Sequence, residues 1–471
     1  MSEGLPAAPP AASAGGPASA SLGDAREARS ARVRAALADL LGEGALAPAL
    51  PVHELRGMEA AVGVRPHTDD EVGAILRRCS EEGWRVVPAG AGTWLAAGNP
   101  VADVDVVLSV ARMDRIVQYE PADLTLTVGA GVTLRELARA TAREGQWLPL
   151  DPPGSDEGTL GAALATASAG GLSTAYGAPR DLCLGLRLVT GDGRALSLGG
   201  RVVKNVAGFD LVKLAVGSWG TLGVITRATV RLFPRPEVEA WLIGRAASLE
   251  ELVAAARRAV TGPVVPAAVE LVERPSPSGG GGREALLRVR LHGLAERVAH
   301  EAALLADRMR PLEVERREGQ PLEEDPLLPE RLHVEAGSEM TVRMLLLPAE
   351  LGDLVGIARG LGRIRGRGDA LARAPLRIVV DAARGSLTTA IPSLRADPDH
   401  ADAWVERIGE LRRTLVARHG DLVVLHGPPE VVGRVGAWEK AGGASRVIAA
   451  LEAQFDPAGI LSSGRLALEG D

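Results

Sequence analysis

Three glycine-rich passages hold the residues best suited to chemistry. The first, Gly90-Ala91-Gly92-Thr93, follows the apolar run Trp84-Arg85-Val86-Val87-Pro88. It offers backbone almost free of side chains, whose N–H groups can close on a pyrophosphate while the Thr93 hydroxyl adds a donor. A plain tight turn would use the same glycines. The loop is not a Rossmann fingerprint, because Leu95 stands where the third glycine belongs, and no Gly-Lys-Ser/Thr follows to make a triphosphate loop. The second passage gathers Gly158-Thr159-Leu160-Gly161, Gly170-Gly171 and Tyr176-Gly177-Ala178-Pro179-Arg180-Asp181. Small residues at such density suit the close approach of backbone to a flat ligand. The third, Gly217-Ser218-Trp219-Gly220-Thr221-Leu222-Gly223, leads straight into the strand-forming Val224-Ile225. Three such passages in one region exceed what turns alone require.

The elements that must position them follow from periodicity. Val33, Leu37, Leu40 and Leu41 predict a helix over Ala28 to Leu41. Thr68 and Glu71 form a capping box ahead of Val72, Ile75, Leu76 and Cys79, and Gly83 stops that helix. With strands at 84–88 and Val104 to Val110 this makes a β-α-β style unit. A second unit repeats the grammar: a strand from Leu124 to Val128, a Gly129-Ala130-Gly131 turn, and a capping box from Thr133 to Glu136. Strands are then expected at Cys183 to Val189, Ala195 to Leu198 and Val224 to Phe233, before Pro234 and Pro236 close the region. Beyond it, strands such as Thr341 to Leu347, Arg377 to Asp381 and Leu422 to Leu425 alternate with amphipathic helices, the pattern of an antiparallel α+β domain. The domains expected are a disordered leader and accessory helix (1–46), a ligand-binding domain (47–236), an α+β cap (237–442) and a C-terminal helix and tail returning to the first domain (443–471). The stretches 275–282 and 319–329 read as surface loops.

Composition narrows the function classes. A net charge of −7 with 24% charged residues gives no basic field for nucleic acid. Two cysteines, Cys79 and Cys183, exclude a disulfide framework and any iron–sulfur cluster held by this chain's own thiolates. The uncharged stretch from Gly158 to Pro179 is dominated by Gly, Ala, Ser and Thr, so no membrane span is expected. The first 22 residues lack Lys and Arg, and the cytoplasm is the default location. Only Lys204, Lys213 and Lys440 supply ammonium groups, two of them in one short segment.

In this order the motifs resemble the vanillyl-alcohol-oxidase-type, or PCMH-type, FAD-binding oxidoreductase family, and within it the FAD-binding subunits of glycolate oxidases. The resemblance rests on Pro88-Ala-Gly-Ala-Gly-Thr93, Gly158-Thr-Leu-Gly161, Tyr176-Gly177 with Arg180-Asp181, Val203-Lys-Asn-Val-Ala-Gly-Phe-Asp-Leu211 and Gly220-Thr-Leu-Gly-Val-Ile225. A shorter echo, Phe455-Asp-Pro-Ala-Gly-Ile460 with Ser463-Gly464-Arg465, resembles the family's closing segment. The fold implied is a two-subdomain FAD-binding domain plus an α+β cap built on an antiparallel sheet. Ala89, Gly90, Ala91, Gly92 and Thr93, flanked by Pro88 and Trp94, would hold the pyrophosphate. Pro152, Thr159, Gly161, Ala162, Ala165 and Gly170 would line the flavin and ribityl chain. Gly220, Gly223, Val224 and Ile225 would contact the cofactor through backbone, and Tyr176, Gly177 and Asp181 would complete the site. Relatives with covalent flavin carry a His in or just after the first loop. Thr93 and Trp94 stand there, which implies non-covalent FAD, and Cys183 reads as core.

The chain departs from the pattern at Phe209, where the family has Tyr, at Trp219, where catalytic subunits have an acidic residue, and at Gly161-Ala162, where a second glycine is usual. It also lacks the His-x-Gly-Asp-Gly-Asn-x-His segment that supports a metal and a base in the catalytic dehydrogenases. His426-Gly427-Pro428-Pro429 is the nearest candidate, and His292, His300 and His333 are scattered. No metal is expected, and no base can be named. The resemblance therefore implies a FAD-binding subunit of a 2-hydroxy-acid-oxidising complex, with a related flavoprotein and an iron–sulfur subunit as partners. Through those partners the chain would sit peripherally on the inner membrane. Lys204 is the candidate to stabilise reduced, anionic flavin. A self-sufficient FAD oxidoreductase and a non-catalytic flavin-binding assembly subunit are the alternatives.

Overall fold

The computed structural model describes residues 22–47, 61–101, 103–154, 156–200, 209–246, 248–276, 282–319, 340–361, 363–365, 371–373, 376–391, 398–439, 444–462 and 464–466. Lys204, His333 and the leader lie outside the described residues.

Local signals place the first elements. Thr68 Oγ1 accepts from Glu71 N (3.1 Å) and caps the helix Asp69–Glu82, while the Glu71 carboxylate accepts from His67 N, one residue ahead of the cap, so the expected capping box is half formed. Gly83, in the left-handed region at φ 66°, ends it. The helix buries Val72, Ile75, Leu76 and Cys79 in a core shared with a four-stranded sheet in the order Leu46–Ala47, Val62–Val64, Val106–Ser109, Val86–Ala89. The last two pairings are parallel, as the β-α-β reading requires. The N-terminal helix is longer than its apolar spacing suggests, running Leu22–Leu41, because Ala, Arg and Glu extend it through propensity alone.

A five-stranded antiparallel sheet follows, in the order Ile116–Glu120, Thr125–Gly129, Val224–Arg231, Cys183–Val189, Ala195–Gly199. Leu124, expected to begin the second strand, instead takes φ 53° as the cap of a short helical turn. Both sheets share one apolar core, in which Val86, Leu108, Leu126, Leu188 and Val224 are buried together. Each such side chain contributes about 1.5–3 kcal/mol by leaving water. The C-terminal segment joins this core through an isolated parallel bridge between Leu461 and Val86: Val86 N donates to Ile460 O (2.8 Å) and Ser462 N to Val86 O (2.9 Å).

The cap is an eight-stranded sheet, in the order Glu313–Glu318, Val238–Arg245, Arg283–Gly293, Ala268–Pro275, Arg377–Asp381, Ser386–Ile391, Met340–Leu345, Asp421–His426. All its pairings are antiparallel. Alternation sends Leu271, Leu287, Val342 and Val380 into a core shared with the helices Leu249–Val260, Ala295–Arg308 and Leu351–Leu361. Glu270, Arg288, Arg343, Val379 and Asp381 line a cavity on the other face, where they meet residues of the first domain. Among the described residues, no helix is long and apolar enough to cross a membrane.

Candidate flavin groove and adjoining cavity

The strand Val86–Ala89 delivers the first glycine loop to the end of its sheet, where Ser109 Oγ donates to Gly90 O (2.8 Å). Gly92 adopts φ 89° and Leu95 N returns to Gly92 O, which curls the loop back on itself. Gly90 lies against Thr159: a Cβ built there would sit 2.0 Å from Thr159 Oγ1. Thr159 in turn caps the short helix Leu160–Ala165, accepting from Ala162 N. Gly161 N donates to Ala130 O (2.8 Å), a contact that a Cβ at Gly161 would block at 2.7 Å from Ala130 Cβ. The third passage is stitched to the end of the same helix, with Gly217 N bonded to Leu164 O and Trp219 N to Ala165 O. Trp219 is held at φ 55°, a conformation that costs a non-glycine residue on the order of 1 kcal/mol. Its ring packs edge-on against Trp94 and, from the cap, Trp438.

The three passages thus converge on one groove. Pro88, Ala89, Gly90, Gly92, Thr93 and Trp94 line it from the first passage. Gly161, Ala162 and Ala165 line it from the second, and Gly220, Gly223, Val224 and Ile225 from the third. Thr159 stands behind Gly90 rather than in the lining, and Ala91 is likewise not in the lining. Pro152 is buried outside the groove, and Gly170 lines the adjoining cavity, its N bonded to Asp151. Tyr176, Gly177 and Asp181 are placed elsewhere. Asp181 accepts from Ala178 N to cap a helical turn, and Gly177 packs on Asp181. Tyr176 lies between Trp147, Phe233 and His292, with its hydroxyl 2.9 Å from His292 Nδ1. Tyr176 thus joins the two domains, and none of the three residues lines the groove. The sequence reading assigned no role to Ser462 and Arg465, which complete the lining.

The groove suits FAD on its own features. Thr93 Oγ1 and Ser462 Oγ are buried without a partner among the described residues, leaving two polar groups for a ligand to satisfy. The glycines at 90 and 161 keep the walls open where Cβ atoms would close them.

Trp94, Thr166 and Trp219 are shared with a cavity of about 420 Å³ between the two domains. Arg288, Arg290, Arg343 and Arg384 line it with Glu270 and Asp381. Arg288 Nη2 donates to Glu270 Oε2 (2.7 Å), but its Nε and Nη1 are buried without partners. Arg290 pairs with Glu239 (2.9 Å), leaving its Nε unpartnered. Arg343 Nε likewise has no partner among the described residues, and desolvation draws the Arg343 pKa below the usual value. Arg384 Nη1 donates to Ser173 Oγ (2.7 Å) across the domain boundary. So many desolvated donors facing one cavity are arranged for an anion. Asp381 closes the strand Arg377–Asp381 and its Oδ1 accepts from Ala383 N and Arg384 N (3.1 Å each). Burial pushes the Asp381 carboxyl up to about 6, and the neighbouring Glu270 charge acts in the same direction.

Among the described residues, no three His, Cys, Asp or Glu side chains are grouped to hold a metal. His426 ends its strand with Nδ1 3.2 Å from Ala96 O. Cys79 and Cys183 are buried, and burial pushes both thiols up to about 12. Neither should react with a thiol reagent at pH 8 in the native protein, whereas both should label after denaturation. A disulfide-exchange colour assay reads this directly.

Residues 60–199 match the family model described as an FAD binding domain. Among curated proteins, the chain is 33% identical over 213 residues to glycolate oxidase subunit GlcD of Bacillus subtilis, covering 45% of each protein. It is 38% identical over 185 residues to D-lactate dehydrogenase of Archaeoglobus fulgidus, covering 39% of this chain and 41% of that one. It is 39% identical over 167 residues to glycolate oxidase subunit GlcE of Escherichia coli, covering 35% and 47%. The matches therefore span about half the length of these relatives. Solved structures share the fold: 4-ethylphenol oxidase from Gulosibacter chungangensis superposes with a TM-score of 0.69 at 15% identity, over 94% of this chain and 98% of that one. An alkyldihydroxyacetonephosphate synthase does so with 0.67 at 17% identity, over 92% and 84%.

Proposed function

We propose that this chain, which carries an FAD-binding domain of the PCMH type, oxidises a small 2-hydroxy acid as the flavin-bearing component of a larger complex. One observation carries the reading: the glycine-lined groove opens, at Trp94, Thr166 and Trp219, into a cavity lined by four arginines and the carboxyls of Asp151, Glu270 and Asp381. FAD, held without a covalent bond, supplies the two-electron acceptor. The chain's own residues do the rest. Arg343 and Arg288 take the substrate carboxylate, fixing the hydroxyl-bearing carbon toward the groove. Asp381 receives the hydroxyl proton. The tryptophan cluster of Trp94, Trp219 and Trp438 excludes water where the domains meet.

The names of the relatives support membership of a complex, since two of those described are subunits of a glycolate oxidase. A related flavoprotein and an iron–sulfur protein are the partners that would carry electrons onward, and through them the chain would reach the inner membrane. The arginine cavity favours substrate binding by this chain over a purely structural role in such an assembly.

Purified chain should show a flavin spectrum, and acid precipitation should release the FAD into the supernatant. Glycolate or D-lactate with an artificial acceptor, with and without the neighbouring gene products, tests the rest. Full activity of the isolated chain would remove the obligate complex, and a colourless protein that takes up no FAD would remove the whole reading. Arg343→Met should raise KM for the hydroxy acid about 10- to 100-fold while leaving FAD content unchanged, as expected for a lost charge-assisted hydrogen bond.

A further inference from the structure

We infer that Arg465, with Ser462 beside it, is the anion-binding end of the flavin groove and takes the pyrophosphate of the dinucleotide. The inference rests on the groove being the FAD site, and adds the one charged contact that site contains.

Among the described residues lining the groove, Arg465 alone carries a charge. Its exposure is 4%, yet it forms no ion pair with any described residue. Nη1 donates to the carbonyls of Leu95 (3.0 Å) and Ala97, just beyond the first glycine loop. Carbonyl dipoles do not neutralise a cation, and the guanidinium has further donors on its other nitrogens. A buried, unpaired charge is costly, and a fold retains one where an anion will meet it. Desolvation draws the Arg465 pKa down to about 10, so the group remains charged at neutral pH.

The neighbouring backbone points the same way. Ser462 is held at φ 44°, unusual for a residue with a Cβ, and its Oγ is buried without a partner in the groove wall. It lies near Gly220, where a Cβ would be 3.3 Å from Ser462 Oγ. The segment is anchored by the bonds between Val86 and Ile460 and Ser462, and by Leu461 N donating to Asp456 Oδ2 (2.7 Å). That anchoring sets Arg465 beside the strand that feeds Ala89 to Thr93. Loop N–H groups and one fixed cation then converge on the same end of the groove, a set of donors matched to a doubly charged diphosphate rather than to the neutral isoalloxazine.

The test compares FAD, ADP and riboflavin binding to the full-length chain stripped of flavin, by calorimetry or fluorescence quenching. Arg465→Met should weaken FAD and ADP about 10- to 100-fold and leave riboflavin within about threefold, and Arg465→Lys should recover part of the loss. Affinity of the wild-type protein for FAD should fall with added salt more steeply than that of Arg465→Met. Equal losses for riboflavin and ADP, or no loss for either, would reduce Arg465 to a staple for the 95–97 loop. Should Arg465→Met fail to fold by circular dichroism, competition decides: inorganic pyrophosphate must displace ADP from the wild-type protein, and failure to do so overturns the assignment. Wild-type protein that binds neither FAD nor ADP overturns the groove itself, whereas normal wild-type binding with an unchanged Arg465→Met overturns the role of Arg465 alone.

Discussion

Gly90→Val protein is expected to purify depleted of flavin, with FAD affinity about 10- to 100-fold below that of the parent chain and its far-ultraviolet circular dichroism unchanged. A Cβ at this position would lie 2.0 Å from Thr159 Oγ1 and 3.0 Å from Thr159 Cβ and Cγ2. Thr159 cannot retreat, being 1% exposed and committed to capping the helix Leu160–Ala165. The loop must therefore move, and it moves into the space the cofactor needs. Overpacking of this kind costs about 1–3 kcal/mol, and each 1.4 kcal/mol is roughly tenfold in affinity. Thr159→Ala in the Gly90→Ala background removes the clashing hydroxyl and methyl, so the double variant should bind FAD better than Gly90→Ala despite losing a cap worth about 1 kcal/mol. If both backgrounds bind FAD like the parent, the loop is not a wall of the cofactor site.

This wall was legible in the sequence because its causes are local. Thr68 with Glu71, and Thr133 with Glu136, announce helix starts through side chains three residues apart. The glycines at 90, 161 and 220 announce close approach by lacking a Cβ. The partners of those glycines were not legible, since Thr159, Ala130 and Ser462 are brought to them only by the tertiary fold. The same holds for the second half of the site. Arg343 reads as one more charge in an alternating strand, and its meaning comes from Thr388 and Val379 on strands beside it. Arg465 meets Leu95 across a separation of 370 residues. Tyr176 carried the family's motif and yet belongs to a contact with His292 across the domain boundary, which spacing along the chain could not distinguish from a cofactor contact.

Asp381 yields the other large effect. The sequence names no base, since its histidines stand apart from one another and a strand-ending aspartate before Ala382-Ala383-Arg384-Gly385 looks like turn chemistry. It is turn chemistry, through Oδ1, but the carboxyl also lines the arginine cavity. Burial first, then the Glu270 charge, push its pKa from 3.8 up to about 6, against the bonds from Arg384 and Ala383 and the charge of Arg384. Arg288 neutralises Glu270 in part, at 2.7 Å, and Arg343 faces the same cavity. The ionised form needed to take a proton is therefore populated only above about pH 6. The rate of flavin bleaching by the hydroxy acid should rise through that pH in the parent protein. Asp381→Asn should lose this limb and react about 10²- to 10⁴-fold more slowly, the usual contribution of a positioned base. Stability should move the opposite way. A carboxyl whose pKa is raised on folding contributes its full stability below the unfolded value near 3.8 and loses it as pH climbs through 6, a penalty of about 3 kcal/mol at neutral pH. Asparagine keeps an oxygen for the two backbone donors and carries no charge, so Asp381→Asn should melt a few degrees higher than the parent at pH 8 and no higher at pH 4. A variant that is slower and less stable at both pH values would show Asp381 to be a turn residue only, since loss of the turn predicts a lower Tm everywhere and leaves no reason for the pH limb to vanish.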